Sequence, residues 1–97
     1  MAVVERTVFV KLKDPSRRDA VAEAARTALP KVPGVVGARV GVPADEGSEV
    51  WDLVLFVRFA RIEDVAAYID HPVHVAYVQE HLAPYVDVKK AWNFEVS

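Results

Sequence analysis

The segment VWDLVLFVRFA, residues 50 to 60, reads as a β-strand that is apolar on both sides. Side chains alternate across a strand, so Trp51, Leu53, Leu55, Val57 and Phe59 form one set and Val50, Asp52, Val54, Phe56 and Arg58 the other. A sheet with helices on one face and water on the other alternates more cleanly than this, so both faces call for cover. The first strand repeats the pattern, with Val4, Val8, Val10 and Leu12 on one side and Val3, Thr7 and Phe9 on the other, and the last strand carries Trp92 and Phe94. A chain of 97 residues, taken as one domain over 1–97, buries only a modest core and has no spare segment for a second face. A second copy is the economical cover, which predicts a homodimer whose facing sheets enclose an apolar hollow with a few polar residues.

The remaining periodicities place the other elements. β-branched residues dominate from Val3 to Leu12, and in the following KDPSRRDA Asp14 is the expected N-cap with Pro15 at the first helical position. Val21, Ala24, Ala25, Ala28 and Leu29 recur on one helical face until Pro30, Pro33 and Gly34 end it. VVGARVGV is a second strand. After the third strand, Ile62, Val65, Ala66 and Ile69 predict a short helix broken at DHP, and a further helix is expected from about Pro72 to Ala83. DVKKAWNFEVS closes the chain as a strand. This order predicts an α+β, ferredoxin-like domain: a four-stranded antiparallel sheet with helices on one face.

Composition narrows the function. A formal net charge of −2 with 53% hydrophobic residues fits a globular protein and offers no basic surface for nucleic acid. The absence of cysteine removes disulfides and thiolate chemistry and is compatible with a reducing compartment, so the cytoplasm is the expected location. MAVVERTVFVKLKD carries charges among its apolar positions and reads as a strand rather than a signal peptide, and no apolar run approaches membrane-spanning length.

All three histidines fall within YIDHPVHVAYVQEH, residues 68–81. Pro72 suits the first position of a helix, which makes His71 or Asp70 the cap and puts His74 in the first turn, where the helix dipole disfavours an imidazolium. His74 is therefore expected to be neutral near pH 7 and able to accept a proton. His81 lies along the same stripe roughly 10 Å away, too far to share an ion with His74. With no third ligand beside His71 and His74, neither metal nor cofactor is expected. Each residue also has a plain reading: His71 as a cap, His81 as a solvated side chain, His74 as a satisfied, partly buried histidine. On the same footing Tyr68, Tyr77 and Tyr85 are core or interface aromatics, Trp51 and Trp92 packing residues, Lys89 with Lys90 a solvated patch, and Arg6 with Asp52 a cross-strand surface pair.

YIDHPVHVAYVQEHLAPYVDV, preceded by DLVLFVRFARIEDVAAY and by an N-terminal VFVKLKD, resembles the stress-responsive dimeric A/B barrel (Dabb) family. The most specific part is Y-x-x-H-P-x-H from Tyr68 to His74. The resemblance covers nearly the whole chain and implies two ferredoxin-like protomers packed sheet to sheet as a dimeric α+β barrel. One branch of the family is similar to olivetolic acid cyclase, a cofactor-free plant enzyme that closes a polyketide by aldol condensation. There the catalytic pair corresponds to Tyr68 and His74, which implies His74 as general base and Tyr68 as donor to the oxygen that gains charge. Arg6, His71 and Tyr77 are the candidate ligand contacts around that pair. Two positions depart from the cyclase pattern: Arg6 stands where it has a histidine, and the first helix offers Ala24 and Ala25 where it has a tyrosine.

Three readings follow. The chain is a barrel that binds a small hydrophobic or carbonyl-bearing metabolite, a cofactor-free cyclase or isomerase working through His74 and Tyr68, or a non-catalytic, stress-related structural dimer whose barrel is filled by its own side chains.

Overall fold

The computed structural model describes residues 3–97. The β-branched first segment forms β1, Val3–Leu12, the second strand β2, Val35–Gly41, the third β3, Leu53–Phe59, and the last β4, Val86–Val96. The sheet order is β2-β3-β1-β4, with every neighbouring pair antiparallel. Helices α1 (Arg18–Ala28), α2 (Glu63–Asp70) and α3 (Pro72–Tyr77) supply the cover for one face. This is the ferredoxin-like arrangement expected from the element order, and among the described residues no helix is long and apolar enough to cross a membrane.

Register decides which side chains meet under the helices. Val8 stands opposite Leu55 and Val10 opposite Leu53, so the even positions of β1 and the odd positions of β3 form one buried layer. Val21, Ala22, Ala25 and Leu29 of the α1 segment and Val65 and Tyr68 of α2 close over it. Asp14 caps as expected, its side chain accepting the Ser16 N–H at 3.0 Å. The turn it caps is a short 3-10 segment, Pro15–Arg17, and α1 begins only after it.

The expected parity of the third strand fails at its start. β3 begins at Leu53, and a bend over Trp51 and Asp52 sends the two side chains to the faces opposite to those predicted. Trp51 turns to the open face and packs on Phe9, with ring centroids 5.5 Å apart. Asp52 is 3% exposed, and its carboxylate accepts the Leu12 N–H at 2.7 Å and the Arg18 guanidinium at 3.2 Å. The β1–β4 ladder shifts register between Lys11 and Leu12, and Asp52 satisfies the amide at that irregularity with a charge-assisted bond. Arg6 and Asp52 therefore do not pair; Arg6 stands opposite Val57 and Asn93 and donates to the Asn93 side chain at 3.1 Å.

The helices depart from the expected stripes in two places. Ile62 and Ile69 are exposed while Tyr68 is buried, so the inward face of α2 is Val65 and Tyr68 rather than the four-residue apolar stripe. The segment after Pro72 is not one helix either: α3 ends at Tyr77, a π-helical turn spans Val78–Leu82, and a 3-10 turn spans Ala83–Tyr85. The wider π turn, with its i→i+5 hydrogen bonds, brings positions five apart closer to one face than an α-helix does, and both Tyr77 and Leu82 are buried.

The opposite face of the sheet is apolar and open. Trp92 and Phe94 are 49% and 55% exposed, and Phe9, Val54 and Phe56 are only partly covered. Leu55, 3% exposed, sits in the closed layer, and Leu55→Ala removes buried apolar volume that its neighbours cannot refill. The expected loss of stability is about 2–5 kcal/mol by chemical denaturation; an unchanged midpoint would mean that the wrong face has been taken as the core.

Candidate functional site

The site is built by the break between α2 and α3. A residue before proline is pushed out of the helical region, and His71 has φ −67° and ψ 137°. Its ring turns inward on the backbone: Nδ1 accepts the Val73 N–H at 3.1 Å and caps α3. His71 is thus the cap, and it lies outside the hollow described next.

One turn later, His74 folds back onto the end of α2. Its Nδ1 is 2.9 Å from the Ile69 carbonyl oxygen, one of the acceptors that a helix C-terminus leaves without a partner. A carbonyl can only accept, so the ring proton is assigned to Nδ1 and Nε2 carries the lone pair. The imidazole lies against the Tyr68 ring, centroids 4.3 Å apart, and Tyr68 is held from its other side by Phe59 at 5.1 Å in an edge-to-face contact. Tyr68 and His74 are therefore brought together as expected, by a six-residue separation that spans the helix break.

They line a hollow of about 100 Å³ between the helices and the sheet. Arg6, Tyr77 and Lys89 also face it, above an apolar floor that includes Val8, Leu55 and Ala91. Arg6 is the even-numbered position of β1 that the helix side requires, and Lys89 and Ala91 share that side of β4 through their pairing with Val10 and Val8. Lys89, read from the sequence as part of a solvated patch, is exposed and also borders the hollow; strand parity relative to Val10 was the signal that could have placed it there. The hollow expected between two sheets is elsewhere. A larger one, about 450 Å³, lies on the open face against Phe9, Trp51, Val54 and Phe56 under the β2–β3 loop. Its lining holds no titratable side chain, so the groups able to move a proton are gathered at the smaller hollow.

Electrostatics suit proton transfer. Burial lowers the His74 pKa below 6.5, the hydrogen bond to Ile69 pushes back, and the charges of Lys89 and Arg6 lower it further. The ring is thus neutral near pH 7, with burial as the main cause in place of the dipole of the six-residue α3. Burial also pushes the Tyr68 phenol up to about 12 against the pull of Arg6, which keeps it a proton-bearing donor at neutral pH. Tyr77 is raised for the same reason, and its hydroxyl makes one long contact, 3.5 Å, with the Val21 carbonyl. His81 is exposed beside Glu80 at 3.7 Å and takes no part. Among the described residues, no three His, Asp or Glu side chains are placed to hold a metal ion.

The model of the stress-responsive A/B barrel domain family, Dabb, matches residues 4–96. The chain belongs to the Dabb family. Solved structures agree with the fold: a Dabb-family protein from Mesorhizobium loti superposes with a TM-score of 0.82 at 22% identity, covering 97% of this chain and 96% of that one. A dimeric ferredoxin-like protein of unknown function from Bacteroides fragilis gives 0.81 at 25% identity, over 97% and 96% of the two chains. The hydroxynitrile lyase of Passiflora edulis gives 0.79 at 13% identity, over 98% and 94%. No curated protein matches the sequence.

The lowered pKa of His74 makes stability pH-dependent. The unfolded chain takes up this proton near pH 6.5, before the folded one does, so the contribution is fully present above pH 6.5 and is lost as pH falls toward the folded value. A histidine-resolved NMR titration is expected to place the His74 midpoint below 6.5, and the wild-type denaturation midpoint should drop between pH 7 and 5 more steeply than that of His74→Ala.

Proposed function

We propose that this Dabb protein is a homodimer that binds a small hydrophobic or carbonyl-bearing compound in the helix-side hollow of each protomer. The observation that carries this reading is the pairing of a phenol donor and a neutral imidazole, Tyr68 and His74, on the wall of an otherwise apolar recess. Ligand sites combine apolar walls with a few convergent polar groups in this way. A packing histidine needs no such neighbour, and one satisfied at both nitrogens would have no lone pair left for a ligand. The hollow's volume of about 100 Å³ suits a short ligand, well below the range of roughly 300–1,000 Å³ common for larger ones. A polyketide chain would need the helices to move apart.

The dimer reading rests on the open face. Trp92, Phe94 and Val88 of β4 adjoin Phe9 of β1, and a contiguous apolar surface of this kind marks an interface. Dimeric ferredoxin-like proteins are among the structural neighbours. With the two sheets face to face, the larger hollow lies at the contact and the His74 hollow stays on the outer, helical side.

One feature favours a second reading, cofactor-free proton transfer. With Nδ1–H engaged by Ile69, Nε2 is left free to act as a base on a carbon next to a carbonyl, with Tyr68 as donor to the oxygen on which charge develops. Proton removal would leave an enolate held by Tyr68, and His74, then an imidazolium, would return the proton to carbon in an isomerisation. The same fold carries a hydroxynitrile lyase in Passiflora edulis, so it is compatible with catalysis at this scale.

Binding of 2-butanone, followed by NMR, is expected to shift resonances of Tyr68, His74 and Leu55 in wild type and to weaken in Tyr68→Phe. Deuterium uptake at the carbons beside the ketone in D₂O separates the readings: loss of uptake in His74→Ala with binding retained identifies an enzyme. Binding without catalysed uptake identifies a carrier or sensor, and no binding at all leaves the structural dimer. For assembly, light scattering should give twice the monomer mass, and Phe94→Glu with Trp92→Glu should halve it; a wild-type monomer at micromolar concentration would refute the dimer.

A further inference from the structure

The polar lining of the helix-side hollow is electrically one-sided. Arg6 and Lys89 contribute two cations, Tyr68 and His74 are neutral near pH 7, and no carboxylate lines the recess. Glu95, on the same face of β4, stands opposite Val4, one step further along the strand, and is not part of the lining. Among the described residues neither Arg6 nor Lys89 forms an ion pair, although five other arginines do: Arg18, Arg26, Arg39, Arg58 and Arg61. Arg6 spends one amino group on the Asn93 side chain at 3.1 Å, which anchors the guanidinium and leaves its other donors free. Its charge is close enough to act on both Tyr68 and His74, which places the cation and the proton-transfer pair around one small space.

A guanidinium anchored at one edge, with no anionic partner, beside an apolar floor, is suited to grip a carboxylate through paired N–H donors. The phenol and imidazole are suited to a carbonyl. We propose that the hollow takes a short-chain oxo carboxylate, its carboxylate on Arg6 with Lys89 at the mouth, and its carbonyl oxygen at Tyr68. The available space agrees: a dry cavity of about 150 Å³ holds benzene, so about 100 Å³ beside the exposed Lys89 holds a few heavy atoms with the charged end toward that side chain. This proposal rests on the reading of the hollow as a ligand site and adds the charge of the ligand to it.

Acetoacetate and pentane-2,4-dione form the discriminating pair, because they match in heavy-atom number and differ in carrying a carboxylate or a neutral methyl ketone. Titrated into the full-length wild-type protein and followed by NMR shifts of Tyr68 and His74, acetoacetate is expected to bind at least about tenfold more tightly than the dione. Arg6→Met should bring the two to within about twofold by weakening acetoacetate far more than the dione, and Arg6→Lys should restore part of the preference. Retained His74 and Trp92 resonances show that each variant is folded. Equal or tighter binding of the dione in wild type, or a preference for acetoacetate that survives Arg6→Met, overturns the proposal. If only the dione binds, the ligand-site reading stands and the charge assignment falls; if neither probe moves these resonances, both fall.

Discussion

Pro72 is the residue on which the site depends. Without an amide hydrogen it cannot extend α2, and its ring drives His71 into an extended conformation. The chain restarts in a new direction, and the restarted helix lays His74 back over the last carbonyls of α2. The Ile69 oxygen, unpaired at a helix end, takes the His74 ring proton and sets both the orientation and the tautomer of the imidazole. Tyr68, one residue before Ile69, is thereby brought against that same ring. Backbone constraint at one residue thus brings an imidazole, a phenol and the wall of a recess together from a stretch of seven.

The sheet separates two tasks that the sequence reading had merged. One face, closed by helices, carries the polar recess; the other carries Phe9, Trp51, Phe56, Trp92 and Phe94 with no titratable group in its larger hollow. Apolar side chains on both faces of β3 pointed to two layers of cover, and the fold supplies the first. Three of the charges on the open face are already paired: Glu5 accepts from Arg58 at 2.9 Å and lies 3.8 Å from Arg39, whose guanidinium also sits over the Phe56 ring at 5.4 Å. A surface organised in that way can be covered without leaving a bare carboxylate behind.

Much of this was legible because it depends on periodicity. The four strands, the break at DHP and the capping role of Asp14 follow from alternation and proline geometry, and the nearness of Tyr68 to His74 was implied by the resemblance of Y-x-x-H-P-x-H to the Dabb family. The errors share a cause of their own, local irregularity that no period encodes. The bend at Trp51 and Asp52 exchanges the faces of two adjacent residues, and the reason for it, an amide left at the Lys11–Leu12 register shift, is forty positions away in the chain. The π turn at Val78–Leu82 likewise adds a residue to a helix whose apolar spacing reads as ordinary. Lys89 is exposed, as a lysine pair suggests, and that it also borders the recess is visible only once its strand register is known.

The fixed tautomer of His74 has a stereochemical consequence. With one ring nitrogen committed to the backbone, the imidazole has a single working edge, so a proton gained at Nε2 leaves again from Nε2. Any exchange or isomerisation at this ring therefore takes and returns hydrogen on the same side of the planar intermediate. On the proton-transfer reading, a ligand held in the recess would have one face labelled by solvent and the other untouched, and the hydrogen bond to Ile69 would then set handedness as well as position.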